Sequence, residues 1–244
     1  MGFTIVVPTL NILDETGRID MQATRRYAEL ARDTWVDRFL LNGSTTRGDL
    51  LSPASRAEIV DLWAEVVGPD RLLACAWAPA DFEAAAQRHV TPMGVMHGIR
   101  TGAEALVFLR GLPHGATIYS HPMFGLPLTP ELVSRATDVG CLPAGGKLAK
   151  VKVGEISEIH QLAPDFALWD GSVRHLRESL QAGAAGVVAT PLAPLLVNGL
   201  PPKDVDKVQA AVSAVQSALD VLPDRPSRSA YLLGRTSQAL AGVE

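Results

Sequence analysis

The sequence predicts a (β/α)8 barrel with a short C-terminal helical extension, on three observations. Short apolar runs alternate with amphipathic stretches from one end to the other. The runs are apolar on both faces, as parallel strands covered by helices must be. Eight strand candidates alternate with eight helix candidates, the count that closes such a barrel. An open doubly wound sheet would want a Gly-rich phosphate turn after an early strand, and no G-x-G-x-x-G occurs.

In order, strand candidates at Phe3–Pro8, Arg38–Leu41, Leu72–Trp77 and Met93–His97 are followed by helix candidates at Met21–Thr34, Pro53–Val67, Ala80–His89 and Ala103–Arg110. The second half repeats the pattern with strands at Ala116–Tyr119, Leu142–Leu148, Phe166–Trp169 and Gly186–Thr190. Their helices are Pro130–Val139, Val153–Leu162, Val173–Ala182 and Pro202–Leu222. Ser52-Pro53 and Thr129-Pro130 place a capping hydroxyl before proline at the first helical position. Gly183 stands where a helix C-terminus expects it. Asp224-Arg225-Pro226 separates the eighth helix from a last helical stretch, Ser227–Leu240. Residues 1–200 are thus expected to carry the barrel strands and the mouth. Residues 201–244 add the last barrel helix and the extension to the same domain.

Of the 244 residues, 47% are hydrophobic and 20% charged, which suits a sizeable core and argues against disorder. A net charge of −4 disfavours nucleic acid as a partner. No apolar run reaches the length of a membrane span, and the N-terminus shows no signal-peptide pattern, so a cytoplasmic protein is expected. Cys75 and Cys141 have no metal or redox spacing and read as buried free thiols. The six histidines show no H-x-x-x-H or H-x-H spacing; no metal and no cofactor are expected.

In such barrels the chemistry sits at the C-terminal ends of strands. There the sequence places Gly43-Ser44-Thr45-Thr46, His97, Tyr119-Ser120-His121-Pro122, Gly145-Gly146-Lys147, Asp170, Ser172 and Thr190. Gly43 would relax the backbone so that the amides and hydroxyls of Ser44 and Thr45 face a carboxylate. Tyr119 offers a phenol that moves protons. Lys147 lies in an apolar, Gly-rich segment. An amine attacks a carbonyl only when neutral, so it needs surroundings that lower its pKa from about 10.4. Together these groups suit imine formation with a 2-oxo acid. Lys150 and Lys152 are rival amines that read as exposed charges at a helix start.

These residues resemble the pyruvate-dependent class I aldolase superfamily of dihydrodipicolinate synthase and N-acetylneuraminate lyase, of which the chain looks like a divergent, shortened member. That superfamily carries a G-[ST]-T-G-E-x-x-x-L-[ST] turn, a Y-N-x-P segment and a G-x-K-D segment on a (β/α)8 barrel. Here they read Gly43 to Ser52, Tyr119 to Pro122 and Gly145 to Leu148. Val7-Pro8-Thr9, Gly17 to Asp20, Asp170-Gly171-Ser172 and Gly183 to Val188 look like further family elements. The resemblance implies that Lys147 forms the Schiff base and Tyr119 shuttles protons. It further implies that Ser44 and Thr45 hold the carboxylate, with Thr45 relaying protons to Tyr119. Gly186 and Val187 enter as substrate-contacting residues of the same kind.

The departures also matter. The family's Gly-Glu is Thr46-Arg47, so a cation replaces an acid; Arg47 pairs either with a second anionic group or with Asp49. The arginine that the synthases carry after Y-N-x-P has no counterpart in Met123-Phe124-Gly125-Leu126. The P-P-Y-Y segment near strand four is missing, where Met96-His97-Gly98 stands instead. His97 and His121 either replace lost acid–base or substrate contacts or make ordinary hydrogen bonds at the rim. Lysine biosynthesis is not expected. The expected partners are a 2-oxo acid and an aldehyde, less charged than aspartate semialdehyde, in a homo-oligomer (dimer or tetramer). The expected reaction is aldol cleavage or condensation through a Lys147 imine. The alternatives are an imine-dependent dehydratase or decarboxylase of a 2-oxo (sugar) acid, and a non-catalytic barrel that binds small anions.

Overall fold

The computed structural model describes residues 2–242. Eight parallel strands close into a barrel in sequence order: β1 (Thr4–Pro8), β2 (Arg38–Leu41), β3 (Leu72–Ala76), β4 (Thr91–Val95), β5 (Thr117–Ser120), β6 (Gly145–Leu148), β7 (Ala167–Asp170) and β8 (Gly186–Val188). The covering helices are α1 (Met21–Arg32), α2 (Pro53–Val67), α3 (Pro79–Gln87), α4 (Gly102–Arg110), α5 (Pro130–Asp138), α6 (Val153–Leu162), α7 (Leu176–Gln181) and α8 (Val205–Asp220). A last helix, α9 (Arg225–Ala241), packs beside the turn after β8 and against α1. The predicted (β/α)8 architecture is the one observed.

Strand alternation divides the apolar residues into two layers. Val6, Leu40, Leu73, Cys75, Met93, Val95, Tyr119, Trp169 and Val188 fill the barrel interior. The intervening residues face the helices: Ile5, Val7, Phe39 and Leu41 on one side, Ile118, Leu148 and Leu168 on the other. Burying each such aliphatic side chain contributes roughly 1.5–3 kcal/mol, which is why the strands read as unbroken apolar runs. Helix starts follow the capping signals. Ser52 accepts from the Ser55 N–H and Thr129 from the Leu132 N–H.

Several boundaries differ from expectation: β6 starts at Gly145 rather than Leu142, β8 ends at Val188 rather than Thr190, α8 starts at Val205 rather than Pro202, and three others have a visible cause. β4 starts at Thr91 and ends at Val95, because Thr91 and Pro92 pair with Leu73 and Ala74; His97 therefore lies beyond the strand, in the loop. α7 begins at Leu176 rather than Val173, whose φ of 49° is incompatible with a right-handed helix. α9 begins at Arg225, since Asp224 caps it by accepting from the Ser227 N–H. The residues expected to separate two helices instead start the second one.

Beneath the mouth, the buried pair Arg56–Asp81 (2.8 Å) ties α2 to α3. Asp81 also accepts from the N–H groups of Trp77 and Ala78, both at 2.8 Å. Arg56 donates to the Leu51 carbonyl at 2.5 Å. These bonds fix the end of β3 and the turn after β2 to one another.

Candidate active site

Lys147 stands in β6, with Tyr119 of β5 and Trp169 of β7 as its register partners. All three therefore face the interior. Lys147 is 6% exposed and Tyr119 1%. The lysine Nζ lies over the Tyr119 ring, 4.1 Å from its centroid. Its Cε runs 3.1 Å from the place a Cβ on residue 171 would take, so the glycine there leaves room for the stem. The rival amines, Lys150 and Lys152, are exposed.

The Tyr119 hydroxyl meets the Ser44 hydroxyl at 2.8 Å. This corrects the expected relay: the hydroxyl that reaches the phenol is that of Ser44, while Thr45 Oγ1 faces Thr190 Oγ1 at 3.4 Å. Gly43 needs no special conformation, with φ −67° and ψ 164°. The left-handed residues of the turn are its flanks, Asn42 and Arg47. The turn itself is a short 3-10 segment, Ser44–Thr46, with Ser44 and Thr46 buried. Thr46 is held from β1's side, accepting from the Asn11 N–H at 3.1 Å.

Arg47 is exposed, and Asp49 is paired not with it but with Arg225 of α9. The Arg225 Nε also donates to the Ser44 carbonyl at 2.7 Å, and Ser229 donates to the Thr45 carbonyl. The sequence reading missed both α9 residues.

Beside the turn stands a wall of rings, and the Arg225 guanidinium lies over it, 6.0 Å from the Phe124 ring centroid. Phe124 is its hub, with ring centroids 5.1 Å from Trp77, 5.4 Å from His121, 6.0 Å from Tyr119 and 6.2 Å from His97. The loops after β4 and β5 are zipped together by Gly98 N–H to the Phe124 carbonyl (2.9 Å) and Leu126 N–H to the Ile99 carbonyl (2.7 Å). The carbonyl oxygens of Met96 and Ile99 pass within 2.8 Å of where a Cβ on residue 125 would be, so only glycine permits this approach. Two polar atoms of the wall are engaged by backbone groups. Trp77 Nε1 donates to the Asn42 carbonyl at 2.9 Å, and His121 Nδ1 accepts from the Met123 N–H at 2.9 Å. Burial pushes the His121 pKa down to about 4, aided by the positive charges of Lys147, Lys150 and Arg225. His121 is therefore a neutral ring at pH 7, and His97 is exposed at the rim.

Three further expectations are corrected. Val187 faces the helix layer and Val188 the interior, because a one-residue difference in a strand exchanges faces. Gly186 begins β8, against Thr4, at the end away from the mouth. Asp170 is buried, accepting from the hydroxyls of Ser172 (3.0 Å) and Ser179 of α7 (2.7 Å), and so anchors a helix rather than lining the site. Cys75 is buried in the interior, where burial raises its thiol pKa to about 12, and Cys141 is half-buried; both are free. A cleft of about 730 Å³ among Arg110, His114, Cys141 and Pro143 lies on the loops leading into β5 and β6, away from Lys147.

Among the described residues no group of three or more His, Cys, Asp or Glu could hold a metal ion, and no helix is long and apolar enough to cross a membrane. No protein-family model matches the chain, and no curated protein matches it. Solved structures do match it in three-dimensional form. A dihydrodipicolinate synthase family protein from Coccidioides immitis is 19% identical, with a TM-score of 0.78 over 97% of this chain and 84% of that one. The 2-keto 3-deoxygluconate aldolase from Picrophilus torridus is 18% identical, with a TM-score of 0.78 over 97% and 94%. YagE from E. coli K12, a dihydrodipicolinic acid synthase family protein solved in complex with pyruvate, is 18% identical, with a TM-score of 0.70 over 98% and 99%. The likeness first read from three motifs extends to the whole barrel. At these identities it is a likeness of fold.

Proposed function

We propose that the protein is a Schiff-base-forming lyase of the dihydrodipicolinate synthase and N-acetylneuraminate lyase superfamily, acting on pyruvate or a close 2-oxo acid. The observation that carries this is a buried lysine beside a tyrosine whose hydroxyl bonds to a serine of the turn after β2. Similar folds among known 2-oxo acid aldolases support it. The neutral Lys147 Nζ adds to the 2-oxo carbon, and the oxygen takes one proton from that nitrogen and a second from Tyr119 before leaving as water. The resulting iminium withdraws electrons, so the Tyr119 phenoxide can take a C3 proton, which leaves an enamine. The enamine carbon then attacks an aldehyde carbonyl, whose oxygen takes up a proton, and water releases the product from Lys147. Cleavage is the same path reversed. Ser44 holds Tyr119 in place and links it to the turn, while Ser44 and Thr45 receive the carboxylate.

The aldehyde would meet the ring wall. Trp77 N–H and His121 Nδ1 are engaged, and the Arg225 guanidinium over Phe124 is taken up by Asp49 and Ser44, so the wall favours an apolar or aromatic acceptor. The test is a panel of aldehydes incubated with pyruvate and read by mass spectrometry. Carbon–carbon bond formation that is fastest with aromatic aldehydes fits the proposal. No condensation and no cleavage with any 2-oxo acid would favour the anion-binding alternative.

A further inference from the structure

We infer that α9 is part of the substrate site: Arg225 and Ser229 are positioning residues that aim the Ser44–Thr45 turn at the 2-oxo acid's carboxylate. The inference rests on the function proposed above. A trans peptide points its C=O and N–H in opposite directions, so holding the carbonyl fixes where the next N–H is aimed. The Ser44 carbonyl accepts from Arg225 Nε at 2.7 Å, and the Thr45 carbonyl accepts from the Ser229 hydroxyl. Both carbonyls are thus drawn toward α9, and the N–H groups of Thr45 and Thr46 point away from it. On that other side the Ser44 hydroxyl meets Tyr119.

Arg225 is itself held. Its two terminal nitrogens engage the Asp49 carboxylate, one of them at 3.2 Å, while Nε goes to Ser44. With every nitrogen of the guanidinium occupied, Arg225 orients the turn rather than gripping substrate directly. Its placement is set by the helix start, since Asp224 caps α9 and Arg225 is the first helical residue. Ser229, one turn further along and 5% exposed, lies on the same face. The guanidinium fork fits this role better than an ammonium, which offers a point charge without fixed directions.

The test is borohydride trapping of the pyruvate adduct across a pyruvate titration, for the parent, Arg225→Ala, Arg225→Lys and Ser229→Ala. Methyl pyruvate, which lacks the carboxylate, is the control substrate. Arg225→Ala should raise half-saturating pyruvate roughly tenfold or more, the worth of one charge-assisted hydrogen bond. Arg225→Lys should recover part of that loss. Ser229→Ala should shift pyruvate by roughly threefold to tenfold, the worth of a neutral hydrogen bond, and carries the test should Arg225→Ala not fold. Half-saturation by methyl pyruvate should stay within about twofold of parent in all of them, less than the loss of any hydrogen bond would cause. Equal shifts for both substrates would mean that α9 only supports the fold, and no shift for either would overturn the inference while leaving the imine intact. A parent that traps no adduct would overturn the proposed function and this inference with it.

Discussion

The two halves of the barrel mouth are built on opposite plans. On the side of β1, β2 and α9, polar groups bond to one another: Ser44 to Tyr119, Arg225 to Asp49 and Ser44, Ser229 to Thr45. On the side of β3, β4 and β5, rings of Trp77, His97, His121 and Phe124 meet edge to face or tilted, with Trp77 Nε1 and His121 Nδ1 bonded to backbone groups. Lys147 stands between the halves. Under the function proposed above, the contrast is a division of labour, in which a charged donor is fixed by hydrogen bonds and an uncharged acceptor by contact area. A hydrogen-bonded half loses function when one partner is removed, because the groups left behind stay buried and unpaired. A ring wall tolerates change more gradually, since its contribution scales with area.

That contrast can be broken in steps. Lys147→Ala should have the largest effect, reducing carbon–carbon bond formation to background while leaving the far-ultraviolet circular dichroism unchanged. Tyr119→Phe comes next. It should still form the imine but slow turnover by about ten- to a thousandfold, within the usual worth of an acid–base group; unchanged turnover would remove the phenol from the mechanism. Phe124→Arg should sharpen the division between the halves. It should lower kcat/KM for aromatic aldehydes by about tenfold, roughly the loss of one aromatic contact together with its buried area. Acceptors bearing a carboxylate should gain, and a uniform loss across all aldehydes would argue that the wall only closes the barrel.

The smallest effect concerns His121. Its folded pKa, near 4, lies below the unfolded value near 6.5. Between these values the unfolded chain binds the extra proton, so stability falls as pH drops through that window. His121→Asn should remove this slope, making Tm less sensitive between about pH 6.5 and pH 4. Parallel Tm curves for the two proteins would show that His121 ionises freely.

The scaffold was readable because the strands are largely buried on both faces and helices such as α2 and α5 carry their own caps, Ser52 and Thr129. β4 slipped by two residues because Thr91 and Pro92 are not apolar, although their backbone pairs with β3. The convergence of Lys147, Tyr119 and Ser44 was readable because each stands in or just after a strand, at the end where such barrels open. Val187 was misplaced because motif likeness does not say which residue of a three-residue strand faces inward. Arg225 escaped for a different reason. Asp224-Arg225-Pro226 carries a helix-start signal, an acceptor at the cap with proline two residues later, and reading it as a separator concealed that start. Even a correct start would not have revealed its contact with Ser44, which spans 181 residues. Trp77 was hidden likewise: as the end of an apolar run it reads as core, and only closure of the barrel brings it to Phe124.

The most direct measurement is peptide mapping of the chain after borohydride reduction in the presence of pyruvate. A single reduced adduct on Lys147, lost in Lys147→Ala and retained in Lys150→Ala, is the predicted result. An unmodified Lys147, or a label carried by Lys150 or Lys152 instead, would contradict the assignment of the buried amine as the nucleophile.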